Sequence, residues 1–170
     1  MPELSTTAFK TIGLIIRQQS STHTRDIQTI CQALSAYGEL LIHYLDNEHI
    51  VDSYPASSFE YIGQHADLAV SIGGDGTLLT AARLLVDYEI PLVGINLGRL
   101  GFLADVTMSE LKVHLKEIFN GQFSVEQRFL LQGEIHLRQQ PVVQHIALND
   151  IVLHSHVSAS MIEFEVFSND

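Results

Sequence analysis

The sequence predicts an α/β chain: a parallel sheet covered by helices, followed by the start of a β-rich region. Three observations predict it. Up to Phe119, short apolar runs alternate with segments whose apolar residues recur at helical spacing. A glycine turn, Gly73-Gly74-Asp75-Gly76-Thr77, joins one such run to one such segment. Past Gly121 the helical spacing stops and a period of two takes over. Strands alternating with helices imply a parallel sheet buried on both faces.

The elements follow in order. Thr11–Ile16 (TIGLII) is a short apolar strand. Ile27, Ile30, Cys31 and Leu34 stand at i, i+3, i+4 and i+7, one face of a helix that Gly38 would end. Residues 40–45 return as a strand. Residues 46–65 are polar and irregular, with Pro55 and three serines on the way to a short helix near 58–64. Residues 67–72 (DLAVSI) read as a buried strand, 77–87 as a helix and 91–95 as a strand. A last helix takes Ser109 as N-cap, buries Leu111, Leu115, Ile118 and Phe119, and stops at Asn120-Gly121. Beyond it, Phe129, Leu131, Gly133, Ile135 and Leu137 alternate with mostly polar residues, and 142–154 and 161–167 also read as strands. The expected domain boundary lies near 121.

A strand, a glycine turn and a helix N-terminus make a natural phosphate site: glycines admit an anion close to the backbone, and the first helical N–H groups point at it. Asp75 is the anomaly, because a carboxylate in such a turn repels the ligand. It makes sense if it binds Mg²⁺ or takes a proton from an attacking hydroxyl; the alternative is a plain turn with Asp75 as a helix cap. Ligands of parallel sheets bind beyond the strand C-termini. Residues 73–77 and 96–102 both lie there, after different strands, so they can converge on one crevice.

Three blocks in this order, GGDGT at 73–77, GINLGRLGFLAD at 94–105 and ALND at 147–150, closely resemble the bacterial NAD kinase family. That family carries a GGDGT turn, a GINxGxLGFLxD segment and a paired Asn-Glu or Asn-Asp. Residues 161–166 (MIEFEV) resemble its following strand, and the resemblance runs from Ile12 to the last residue. It implies a Rossmann-like nucleotide-binding domain over 1–121 and an NAD-binding, β-rich domain over 122–170 that is incomplete. Chains of the family continue well beyond this length and include a glycine- and threonine-rich substrate loop absent here. The chain is therefore expected to be an amino-terminal portion, inactive alone.

The implied reaction moves the ATP γ-phosphoryl group to the 2′-hydroxyl of the adenosine ribose of NAD, giving NADP, with Mg²⁺ or another divalent cation accompanying ATP. Asp75 would remove the hydroxyl proton. Gly73, Gly74 and Gly76 would present backbone to phosphates, and Thr77 a hydroxyl, for which capping is a sufficient alternative. Asn149 and Asp150 are poor strand formers inside an apolar run; by resemblance they hold NAD ribose hydroxyls, and the alternative is a bulge or a strand end. Phe102 packs on the adenine by resemblance, or is an ordinary core aromatic. Ser160 departs from the basic or histidine side chain of many relatives, and nothing is carried over there. Competing functions are a lipid kinase sharing the GGDGT turn, against which the second and third blocks speak, and a noncatalytic nucleotide-binding module.

Composition narrows the partners. The chain has 170 residues, 46 % of them hydrophobic, and a mean hydropathy of +0.17, yet no run reaches membrane-spanning length. Residues 1–10 lack the basic start and apolar core of a signal peptide. The single cysteine, Cys31, excludes an internal disulfide and suits a reducing cytoplasm; on an apolar helical face it reads as buried filler. A net charge of −11 and nine scattered basic residues supply no nucleic-acid groove and argue against anionic lipid. An acidic chain must hold phosphates through backbone N–H groups, metal ions and local cations such as Arg83 or Arg99. His154 and His156 share a strand face near His145, but no cysteine or carboxylate completes a tetrahedral set, so no metal ligands are assigned. A homo-oligomer is expected for the full-length protein.

Overall fold

A computed structural model describes residues 9–17, 23–46, 51, 53–98, 101–104, 106–154, 163 and 165–167. The chain divides into two compact units, Met1–Arg128 and Phe129–Asp170.

In the first unit the order is β1 (Thr11–Ile16), α1 (Thr24–Ser35), β2 (Glu39–Tyr44), α2 (Phe59–His65), β3 (Leu68–Gly73), α3 (Asp75–Leu85), β4 (Leu92–Asn96), β5 (Val106–Thr107) and α4 (Leu111–Phe119). The five strands form one parallel sheet in the order β2-β1-β3-β4-β5. The chain runs outward from β1 to β2, then crosses back to place β3 on the other side of β1. The winding reverses between β1 and β3, where a doubly wound sheet opens a crevice beyond its strand C-termini.

Strand alternation sorts the core into two layers. Ile12, Leu14 and Ile16 of β1 point to one face and pack with Ile27, Ile30, Cys31 and Leu34 of α1 and with Leu111 and Leu115 of α4. Ile15 points to the other face and packs with Ile62 of α2 and with Ala81 and Leu85 of α3. β3 is buried along its whole length, as a central parallel strand must be.

Several boundaries differ from the sequence expectation for local reasons. α3 begins at Asp75 rather than Thr77, because the Gly74 carbonyl already accepts the N–H groups of Thr77 (2.9 Å) and Leu78 (3.2 Å). Ser109 does not cap α4: the N-cap is Glu110. The Ser109 hydroxyl instead meets Thr107 Oγ1 at 2.9 Å, and Thr107 donates to Glu110 Oε2 at 2.6 Å. Ile118 and Phe119 are half-buried, and Phe119 stacks on Tyr37 with centroids 4.1 Å apart. The two-residue β5 is too short to leave a periodic signal.

The second unit contains β6 (Leu131–Ile135) and β7 (Val143–Ala147), paired antiparallel. The strand expected over 142–154 stops at Ala147; Leu148-Asn149 form a bend and 150–154 lie outside any strand. Of the strand expected over 161–167, residues 161, 162 and 164 lie outside the described residues, and Glu163, Glu165, Val166 and Phe167 belong to no strand. A strand needs a paired neighbour, and among the described residues none pairs there. No described helix is long and apolar enough to cross a membrane.

Cys31 tests the first core layer. Burial pushes its thiol up to about 11, against a smaller lowering by a backbone hydrogen bond. The native chain should resist iodoacetamide at pH 8 and become fully labelled only in denaturant, read by mass spectrometry. Prompt labelling of the native chain would contradict the packing of α1.

Candidate functional site

β1, β3 and β4 end side by side at the C-terminal edge of the sheet. Ile16 lies opposite Ile72, and Gly73 opposite Asn96. The glycine turn leaves β3 at this edge and enters α3 within two residues. Gly74 is the N-cap and extended, with φ −119° and ψ −170°. Asp75 and Gly76, as the first helical residues, present N–H groups with no intrahelical acceptor.

Asp75 is not a cap. Its carboxylate turns away from α3 toward the segment that follows β4. Oδ2 accepts the Phe102 N–H at 2.9 Å, and Oδ1 accepts those of Leu103 (3.2 Å) and Ala104 (3.3 Å). The capping alternative is thereby overturned, because the side chain is engaged with residues distant in sequence. The Phe102 N–H does most to hold the Asp75 carboxyl below its usual range; partial desolvation opposes it, and the Leu103 and Ala104 N–H groups add to the lowering. Gly101 makes the approach possible, since a β-carbon there would collide with the Asp75 carboxylate. The two sequence blocks at 73–77 and 94–105 therefore meet through one side chain.

Gly73 is fixed by a different contact: a β-carbon there would run into the Thr77 side chain. Thr77 is buried under the turn, and its Oγ1 has no hydrogen-bond partner among the described residues. Its hydroxyl does not cap the helix. Asn96 ends β4, with Oδ1 accepting the Gly98 N–H at 2.8 Å; this closed turn sends the chain off the sheet edge. Phe102 is 100 % exposed in this chain and packs into neither core layer.

Of the two local cations that composition suggested, only Arg83 can be placed. Arg83 is exposed in the last turn of α3, at the far end from the glycine turn. Arg99 lies outside the described residues, as do His156 and Ser160. Arg17, which the sequence reading passed over, is at the turn. It is the first residue after β1, its N–H donates to Ile72 O at 3.1 Å, and its Nη1 lies 3.9 Å from where a β-carbon on Gly76 would stand. Its Nε lies 3.5 Å from Asp46 Oδ1. The signal was available: a basic residue directly after an apolar strand belongs to the ligand edge of a parallel sheet.

Asn149 and Asp150 belong to the second unit. They are exposed and follow β7 rather than sitting within it, so the strand-end alternative describes their backbone. Both have a low preference for strands, consistent with the ladder stopping at Ala147.

Comparison with known proteins gives a consistent picture. Residues 13–123 match the family model described as ATP-NAD kinase N-terminal domain. The chain is 40 % identical over 168 residues to an NAD kinase of Nitrosomonas eutropha, covering 98 % of this chain and 57 % of that protein. It is 42 % identical to an NAD kinase of Nitrosomonas europaea (95 % of this chain, 55 % of that one) and 39 % identical to one of Azotobacter vinelandii (94 % and 55 %). The chain thus spans little more than half the length of these curated relatives. A crystal structure of yeast NADH kinase complexed with NADH superposes with a TM-score of 0.65 at 19 % identity, over 88 % of this chain and 51 % of that one, a likeness of fold.

The Asp75 contacts predict an acid-dependent stability. A carboxyl held below its ordinary value of 3.8 stabilises the folded state fully above that pH and loses the contribution as acid carries the pH down through the depressed value. Asp75→Asn should melt below the wild type at pH 7, and the gap should narrow below pH 3.8. A gap that stays constant with pH in thermal melts would mean that the charge does not hold the loop.

Proposed function

The chain belongs to the ATP-NAD kinase family, and from that premise we propose that it supplies the proton acceptor and the phosphate-binding turn of an NAD kinase. Such an enzyme transfers the γ-phosphoryl group of ATP to the 2′-hydroxyl of the adenosine ribose of NAD, releasing ADP and forming NADP. The observation that carries this reading is Asp75: an ionised carboxylate at the N-terminus of α3, beside the crevice where the sheet reverses.

An unactivated alcohol must lose its proton as the new P–O bond forms, and a positioned carboxylate contributes about 10²–10⁴-fold to such a step. A carboxylate offers about four lone-pair sites. Three backbone N–H groups occupy Asp75, which leaves Oδ2 capacity for the hydroxyl. The same donors keep the group ionised, at some loss of basicity. Gly73, Gly74, Gly76 and Thr77 form the turn that receives the phosphates. The exposed Phe102 ring stacks on the adenine, and Asn149 with Asp150 holds ribose hydroxyls of NAD.

No group of three or more His, Cys, Asp or Glu side chains among the described residues is arranged to hold a metal ion. By resemblance to the family, Mg²⁺ would accompany ATP on its phosphates and would offset charge on the transferring group. Residues 1–121 serve as the nucleotide-binding domain, and 122–170 begin the NAD-binding one. Cys31 is buried and reduced, which suits a cytoplasmic enzyme, and a homo-oligomer is the corresponding expectation for the full-length protein.

The reading is tested on this chain together with whatever sequence continues it in the native protein. NADP should form from ATP, Mg²⁺ and NAD, with no phosphorylation of diacylglycerol; the reverse preference would favour a lipid kinase. Asp75→Asn should lower kcat by about 10²-fold or more, with a much smaller effect on NAD affinity. Activity within threefold of wild type would remove Asp75 from the proton-acceptor role.

Asp150→Ala should weaken NAD binding by about 1–3 kcal/mol, through loss of charge-assisted hydrogen bonds. Calorimetry that gives unchanged affinity with an intact fold would leave Asn149-Asp150 as a strand end and nothing more.

A further inference from the structure

We propose that Arg17 is a phosphate-binding residue of this site, its guanidinium fork held at the glycine turn to meet the oxygens of a di- or triphosphate chain. The inference rests on the nucleotide-binding reading above and adds a residue that lies outside all three sequence blocks.

The placement comes from topology. β1 and β3 are neighbours at the point where the sheet reverses, and Arg17 and Gly73-Gly74 are what follow those two strands. The Arg17 N–H bonds to Ile72 O at 3.1 Å, so its backbone is fixed one residue short of the turn. The side chain is also directed. Asp46, just beyond β2, stands 3.5 Å from Nε, and Nη1 lies 3.9 Å from the β-carbon position of Gly76. The ion pair engages the Nε side of the group. The Nη end faces the first turn of α3, where the Asp75 and Gly76 N–H groups lack intrahelical acceptors.

The turn itself has the marks of a binding site. Gly76 is exposed, and at its β-carbon position the neighbouring atom is the Arg17 nitrogen. Beneath it, the Thr77 hydroxyl is buried without a partner among the described residues.

Charge supplies the need. The chain carries a net charge of −11, and the turn contains its own carboxylate, so backbone N–H groups must overcome repulsion to hold a polyanion. A guanidinium matches phosphate oxygens with two parallel hydrogen bonds and stays charged at every relevant pH. Arg83 does not fill this role, since it sits at the opposite end of α3. The half-exposed Asp46 engages the Nε side of the group and leaves the Nη1 side toward Gly76.

The phosphates could be those of the donor or of the dinucleotide, and the experiment separates them. Inorganic tripolyphosphate and ATP report on the donor, NAD on the acceptor, each titrated by calorimetry into the chain with any native continuation. Arg17→Gln should weaken tripolyphosphate and ATP by about tenfold or more at low ionic strength, an effect that fades with added salt. Arg17→Lys should recover much of the loss, because the charge returns without the fork. A loss confined to NAD would support the assignment and place the residue at the dinucleotide pyrophosphate. Unchanged affinity for all three ligands in a variant that melts normally would overturn it. So would a loss of equal size in Asp46→Asn with Arg17→Lys failing to rescue, since that pattern marks a structural ion pair. Binding is read without turnover, so failure of wild type to form NADP would count against the kinase reading and leave the Arg17 result to stand by itself.

Discussion

The link between Asp75 and the N–H groups of residues 102–104 is the interaction on which the rest of the site depends. It joins the beginning of α3 to the segment after β4, two pieces of chain that the sheet brings to the same edge. A charged acceptor is well suited to the task. Three converging N–H donors around a neutral oxygen would leave bonds weak or unmade, whereas a carboxylate accepts all of them at short range. The negative charge stays in the glycine turn, at the N-terminus of α3.

The sheet order explains why those pieces meet. A reversal between β1 and β3 leaves a gap in the helical cover beyond the strand ends, and whatever follows β1, β3 and β4 must line it. Burial enforces the register that makes the lining precise. β1 sends Ile12, Leu14 and Ile16 to one helical layer and Ile15 to the other, so a slip by one residue would exchange the layers. The position of Arg17 relative to Gly73 is therefore a by-product of core packing.

Much of the fold was legible in the sequence because it rests on local apolar pattern. The strand at 67–72, buried on both faces, and the i, i+3, i+4, i+7 stripe of α1 are signals that a single stretch of chain carries. Other features depend on partners far away in sequence. Ser109 has the chemistry of a cap, but its hydroxyl is engaged with Thr107, which in turn donates to Glu110. The end of β7 at Ala147 was hidden by the apolar residues on either side of Asn149-Asp150. The site shows the same division. Its glycines were legible as a turn, while the destination of the Asp75 side chain and the approach of Arg17 needed the third dimension.

Phe102 shows what the Asp75 link means for recognition. A large aromatic ring standing wholly in water gains nothing from the core and would ordinarily sample many orientations with its loop. Its own backbone N–H, however, is one of the three fastened to Asp75. The entropy of ordering that loop is thus lost when the chain folds, not when a planar partner arrives. A ring carried on a prefixed backbone has less freedom left to lose, so the acidic residue at the start of α3 fixes the main chain that bears an aromatic side chain 27 positions further along.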